Sequence, residues 1–406
     1  MGEISRRSLL RAGGTIGALG ALAGAAPAHA WTWSSSGSVA GTGTGRDPRE
    51  VWDDLADPVL ANLLDTGGVP AVNAALASWT TNGQALPAGL PADVEALVTR
   101  ARELPSWVDH SRLDKAFTFT TKRGLYLGVL YGMNSGMMSA AIPREARAVW
   151  YSKGGADLTD RIAKTAKLGY DIGAHHAYRP DGKMIVTCVK TRLVHAAVRH
   201  LLPQSPHWSA VADERVPISQ FDIMVTWHSL ASSVWQKLVE WRVPISSAEA
   251  DAYLHLWQVT GHMLGVLDEY IPSSWDEALA QREQVLVPLL ARTDEGVLIA
   301  DKLVKLGENL DFTLVTKPAF EAVTRYMLGD RVTDMLELPR RPVLDATISA
   351  AWIPFVRARE LGLLVPGSPA VYWLFDELLR KVALLYLEPT KPINIDIPTI
   401  NNPDYD

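Results

Sequence analysis

The stretch KTRLVHAAVRHLL, Lys190 to Leu202, decides how the chain is read. At 100° per residue, Cys188, Arg192, His195 and Arg199 fall in one narrow stripe. Leu193, Val194, Ala197, Val198 and Leu201 cover much of the remaining surface. The pattern predicts a helix over roughly 184–202 that is apolar nearly all round. Such a helix is buried, and buried charges need partners. Two readings of His195 are open: a hydrogen-bonded core residue, or a metal ligand. The flanking cations favour a neutral imidazole, the form that binds metal. Two readings of Arg192 and Arg199 are open as well. They pair with acids of a neighbouring helix, or they meet an anion with two separated carboxylates. Haem has that second shape, an iron that takes an axial imidazole and two propionates that take cations.

Outward from this helix the signals stay helical. REVWDDLADPVLANLLD (49–65) places apolar residues at helical spacing, and PADVEALVTRAREL (91–104) has proline near its first turn. Ser246 and Glu249 form a capping-box pattern, which Ser274 and Glu277 repeat. TRYMLGD (324–330) ends on a glycine stop signal, and AVYWLFDELLRKVALLYL (370–387) reads as a buried helix. Only YRPDGKMIV (178–186) could turn a short hairpin. The class is therefore all-α, with a single helical domain over 47–386. Residues 31–46, rich in Ser, Gly and Thr, read as a flexible leader. The four-proline tail 387–406 reads as an extended surface strap or as disorder.

The first thirty residues read as a targeting segment. Arg6-Arg7, a Gly/Ala-rich apolar stretch and Ala28-His29-Ala30 fit a twin-arginine export signal; an ordinary secretion signal is the alternative. Cleavage after Ala30 would remove Arg6, Arg7, Arg11 and Glu3, taking the net charge from −6 to −8. No basic stripe suggests nucleic acid, and no later stretch carries eighteen uninterrupted apolar residues. Cys188 is the single cysteine, so no internal disulfide is possible and stability must come from packing or a bound group. No H-E-x-x-H, G-x-S-x-G, Walker or G-x-G-x-x-G context appears, which leaves zinc hydrolase, serine hydrolase and nucleotide enzyme without support.

Two further segments carry candidates. In DLTDRIAKTAKLGYDIG (157–173), Arg161, Lys164 and Thr165 share a face, which spacing alone reads as a solvated charged face. In IPREARAVWY (142–151), Pro143 opens a helix and Glu145 sits in its first turn, where the helix dipole alone favours an acid.

Taken together, RIAKTAKLGYDIG followed by TRLVHAAVR, MVTWHSL and VTGHMLGVLDEYIPSSWDEA resembles the latex clearing protein family of haem-dependent rubber oxygenases, over about 49 to 385. The resemblance implies a globin-like haem-binding core with additional surrounding helices. It implies a secreted, monomeric dioxygenase that binds haem b and uses O₂ as co-substrate. The substrate implied is poly(cis-1,4-isoprene), cut at its double bonds to oligoisoprenoids with aldehyde and ketone ends. By motif, His195 corresponds to the proximal iron ligand, and Lys164 to a distal lysine that caps the iron in a closed state. Arg192 and Arg199 correspond to cofactor contacts, Arg161 and Thr165 to catalytic-pocket positions, and Glu145 to the catalytic acid/base. Thr226 corresponds to the substrate pocket. Two alternatives remain beside this reading: an exported haem oxidoreductase acting on another apolar substrate, and a haem-binding protein without catalysis.

Overall fold

Caps and glycines set where the helices begin and end. In the computed structural model, residues 31–309, 316–372, 376 and 393–405 are described. The helices that matter here are α1 (Asp57–Asp65), α2 (His110–Lys122), α3 (Gly124–Val129), α4 (Pro143–Tyr151), α5 (Leu158–Asp171), α6 (Met184–Leu201), α7 (Gln220–Leu230), α8 (Ser247–Met263), α9 (Trp275–Val285), α10 (Lys317–Met335) and α11 (Pro342–Gly362). The Ser246–Glu249 capping box opens α8 in full. Ser274 caps α9 by accepting from the Glu277 N–H, but the Glu277 carboxylate turns away to accept from the Trp33 indole at 3.1 Å, so no box closes there. A third box, Ser219 with Asp222, opens α7.

Among the described residues no strand forms; the only bridges are isolated, Ser38 to Pro272 and Ser152 to Asn401. YRPDGKMIV makes a turn closed by Gly182 N–H on Arg179 and Met184 N–H on Ala177, and leads straight into α6 instead of a hairpin. Gly329 does not stop its helix. It takes φ +78° and kinks α10, which continues to Met335, because glycine alone enters that region without steric cost.

α8 lies along α2, α6 along α1, and α10 against α11. The core between them is aromatic: Trp79, Trp208, Trp241, Trp257, Tyr126, Tyr253 and Phe119 are fully buried. Trp235 and Trp275 stack at 4.6 Å. Burying such side chains contributes about 1.5–3 kcal/mol each before entropy is subtracted, so this fold holds without a disulfide.

The segment expected as a flexible leader is pinned along part of its length. Thr44 donates through Oγ1 to Glu269, Val39 N–H donates to Ile271, and the Trp33 N–H donates to Gln284. Its low side-chain bulk lets the backbone lie close to its neighbours, which composition alone reads as freedom. In the tail, Ile395 and Ile397 are buried, Asn73 exchanges two hydrogen bonds with Ile397, and Asn401 and Asn402 reach Leu201 and Trp150. Residues 393–402 thus run as an extended strap tied to α6 and α4, and Pro403–Tyr405 close it with a single 3-10 turn. The export signal expected over 1–30, and most of the helix expected over 370–387, lie outside the described residues. Among the described residues no helix is long and apolar enough to cross a membrane.

Candidate active site

His195 projects from the middle of α6, in the stripe that the helical period predicts. Its Nδ1 is closed off from solvent and has no hydrogen-bond partner. Burial, followed by the charges of Arg199 and Arg161, pushes its pKa down to about 3. The ring is therefore neutral at any ordinary pH, which is the ligating form. Other histidines near the core are satisfied. His228 lies between Ser232 (2.8 Å) and Gln281 (2.7 Å), His255 accepts from the Asp109 N–H, and His262 meets Asp268 at 2.7 Å. A buried imidazole left without a partner loses part of its hydrogen-bonding energy, so His195 is the one among these whose environment suits a bound metal centre.

Glu145 sits in the first turn of α4, placed by Pro143. It accepts from the Thr226 hydroxyl of α7 at 2.5 Å. Burial pushes its pKa up to about 7; the Thr226 bond and the Arg161 charge pull down, and the Asp222 charge adds to the rise. Arg161 comes from α5. Its Nη1 donates to Thr165 Oγ1 at 3.3 Å, one turn on, and its charge acts on both Glu145 and His195. Glu145, Arg161 and His195 are each walled in by protein yet keep some accessible surface.

The structure thus brings together His195, Arg161, Thr165, Glu145 and Thr226. At three further residues it supplies carboxylate partners from within the protein. Arg192 grips Asp53 with Nε at 2.5 Å and Nη2 at 2.8 Å. Arg199 donates to Asp57 through Nε at 2.7 Å and to the Ile218 carbonyl through Nη1 at 3.0 Å. Of the two kinds of partner open in the sequence, acids on a neighbouring element hold both guanidinium groups. The reason is desolvation: Arg199 and Asp53 are almost wholly buried, and an unpaired guanidinium there would cost several kcal/mol. Asp53 shows the coupling. Burial pushes its carboxyl up, but the Arg192 hydrogen bonds and the Arg192 and Arg199 charges outweigh it, and its pKa falls below the ordinary value. The third is Lys164, whose Nζ lies 2.7 Å from an Asp160 carboxylate oxygen on the same helix.

Some functional contacts had no reading in the sequence. Asp53 and Asp57 lie in REVWDDLADPVL, and the signal was two acids four residues apart beside the apolar Ala56 and Leu60. Past α3 the chain runs π-helically over Leu130–Gly136, a distortion frequent at functional sites. Tyr131 in this stretch meets the Tyr253 hydroxyl at 2.9 Å and lies against Gly169 of α5. Glycines at 128, 132 and 136 recur every fourth residue there, and a Cβ added at 128 or 132 would meet nothing within 4 Å.

Comparison with known proteins shows the family. Residues 122–358 match the family described as ER-bound oxygenase mpaB/B′/rubber oxygenase, catalytic domain. All eight candidate residues lie in that span, while Asp53 and Asp57 precede it. The chain is 56% identical over 407 residues to a rubber oxygenase of Streptomyces sp. (strain K30), covering 99% of this chain and 100% of that protein. It superposes on a structure of latex clearing protein in the closed state with a TM-score of 0.83 and 57% identity, covering 91% of this chain and 99% of that one. The fold and these matches lead to one conclusion: the chain belongs to the mpaB and rubber oxygenase catalytic-domain family.

Proposed function

We propose that this protein is a secreted haem b dioxygenase that cleaves the double bonds of poly(cis-1,4-isoprene). Each cut takes one O₂ and leaves one aldehyde and one ketone end. The observation that carries the reading is the neutral, unpartnered imidazole of His195, coupled through Arg161 to a carboxylate poised near neutrality. His195 would hold the haem iron through its imidazole. When bound, haem supplies O₂ binding and redox chemistry. The residues around it supply the rest. Thr226 occupies Glu145 Oε1 and leaves Oε2 free. With its pKa near 7, Glu145 is ionised in a useful fraction at neutral pH and remains basic enough to take an allylic proton at Oε2. Arg161, steadied by Thr165, stabilises the ionised carboxylate and adds to the burial that keeps His195 neutral. An insoluble polymer cannot enter a cell, so the enzyme must leave it. We assign that step to the Arg6-Arg7 signal and the twin-arginine machinery, and we take the working unit to be a monomer.

The test is a visible spectrum of purified protein with oxygen uptake on polyisoprene latex beside it. The reading requires a Soret band that His195→Ala abolishes, and uptake that follows haem content. A Soret band without uptake on latex favours an oxidoreductase for another apolar substrate or a haem carrier.

A further inference from the structure

Two consecutive residues at the start of α4 are gripped by two residues one turn apart on α7. Arg144 donates to Asp222 twice, Nε to Oδ1 at 2.6 Å and Nη2 to Oδ2 at 3.0 Å. The next residue, Glu145, accepts from Thr226 at 2.5 Å. Positions 222 and 226 share a face of α7 because they are four apart. Asp222 is itself fixed, since its Oδ2 also accepts from the Ser219 N–H and hydroxyl, both at 2.9 Å, in the capping box. α4 has no side-chain cap of its own. The turn that presents Glu145 is therefore located by α7 and not by local capping.

We propose that Asp222 is a positioning residue: acting through Arg144, it fixes the start of α4 against α7 and so keeps Glu145 on the Thr226 hydroxyl. The inference rests on the reading of Glu145 as the base. It also has an electrostatic side. The charged groups around the clamp are Arg144, Glu214 (3.6 Å from Arg144) and Asp213, which pairs with Arg147; Arg161 faces Glu145 from α5. Arg144 lies between two carboxylates, so removing either member of the Arg144–Asp222 pair changes the field at Glu145 with opposite sign.

The experiment is the pH profile of oxygen uptake on latex for haem-loaded wild type, Asp222→Asn, Arg144→Gln and Glu145→Gln. Asp222→Asn removes an anion and frees a cation, so the acid limb moves to lower pH by about one unit. Arg144→Gln leaves Asp222 uncompensated, and the limb moves to higher pH. In both, the plateau rate falls about tenfold or more as the carboxylate loses its placement. The second variant keeps the Ser219 cap intact, so it remains informative should Asp222→Asn fail to fold. A limb that vanishes in Glu145→Gln but stays fixed in the other two overturns the clamp alone. A limb that persists in Glu145→Gln overturns the reading of Glu145 as base, and the clamp with it.

Discussion

Glu145→Gln separates chemistry from stability because the two respond in opposite directions. The carboxyl is held at about 7, against an ordinary 4.5. At about 1.36 kcal/mol per unit, its ionised form destabilises the folded state by about 3 kcal/mol. The sign follows from proton binding. Between pH 4.5 and 7 the folded protein holds a proton that the unfolded chain has released, so stability from this group is full below 4.5 and is lost as pH rises through 7. Above 7 the whole cost is present. Glutamine carries no charge and keeps an acceptor for Thr226, so it removes that window. At pH 8 the variant should melt a few degrees above wild type, and at pH 5 the two should nearly coincide.

Turnover should move the other way. Loss of a general base costs about 10²–10⁴-fold in rate, read as oxygen uptake on latex per mole of bound haem. Glu145 as a first-turn dipole partner predicts a different pair of results, about 0.3–1 kcal/mol lost at any pH above its titration and turnover close to wild type. A near-normal rate refutes the catalytic assignment. A melting difference that does not change between pH 5 and pH 8 refutes the buried, proton-holding carboxylate on which the argument stands.

Other perturbations address the ionic scaffold and export. Asp53→Ala leaves buried guanidinium charge on α6 without its main partner, and should lower stability by about 3–5 kcal/mol while leaving the haem-to-protein ratio of the folded fraction unchanged. A selective loss of haem without a loss of stability would return Arg192 and Arg199 to the cofactor. Replacing Arg6 and Arg7 with lysine should strand precursor inside the cell; undiminished mature protein in the medium sinks the twin-arginine reading.

Much of the fold is legible in the sequence because helices announce themselves locally. The 3.6-residue period, the Ser246–Glu249 box and the scarcity of alternating strands are all short-range signals, and each has a counterpart in the structure. Gly329 is the instructive exception. A glycine at positive φ ends a helix or kinks it, and the choice lies in packing beyond the local segment. The site divides along the same line. Periodicity puts Arg192, His195 and Arg199 on one stripe of α6, and that grouping holds. It cannot say what faces the stripe. Asp53 and Asp57 arrive from well over a hundred residues upstream, and Asp57 taken alone reads as an acid in a first helical turn. Arg192 and Arg199 stand about 10 Å apart along their helix at 1.5 Å per residue, wide enough for two propionates and equally for two aspartates. Only the neighbouring element supplies the aspartates, which pair with both arginines. His195 is then flanked by ion pairs instead of free cations. Its neutrality no longer depends on two bare charges, because burial is the largest cause and Arg199 and Arg161 add to it. An imidazole kept neutral mainly by burial stays neutral across the whole range in which Glu145 titrates, so pH governs the carboxylate and leaves His195 untouched.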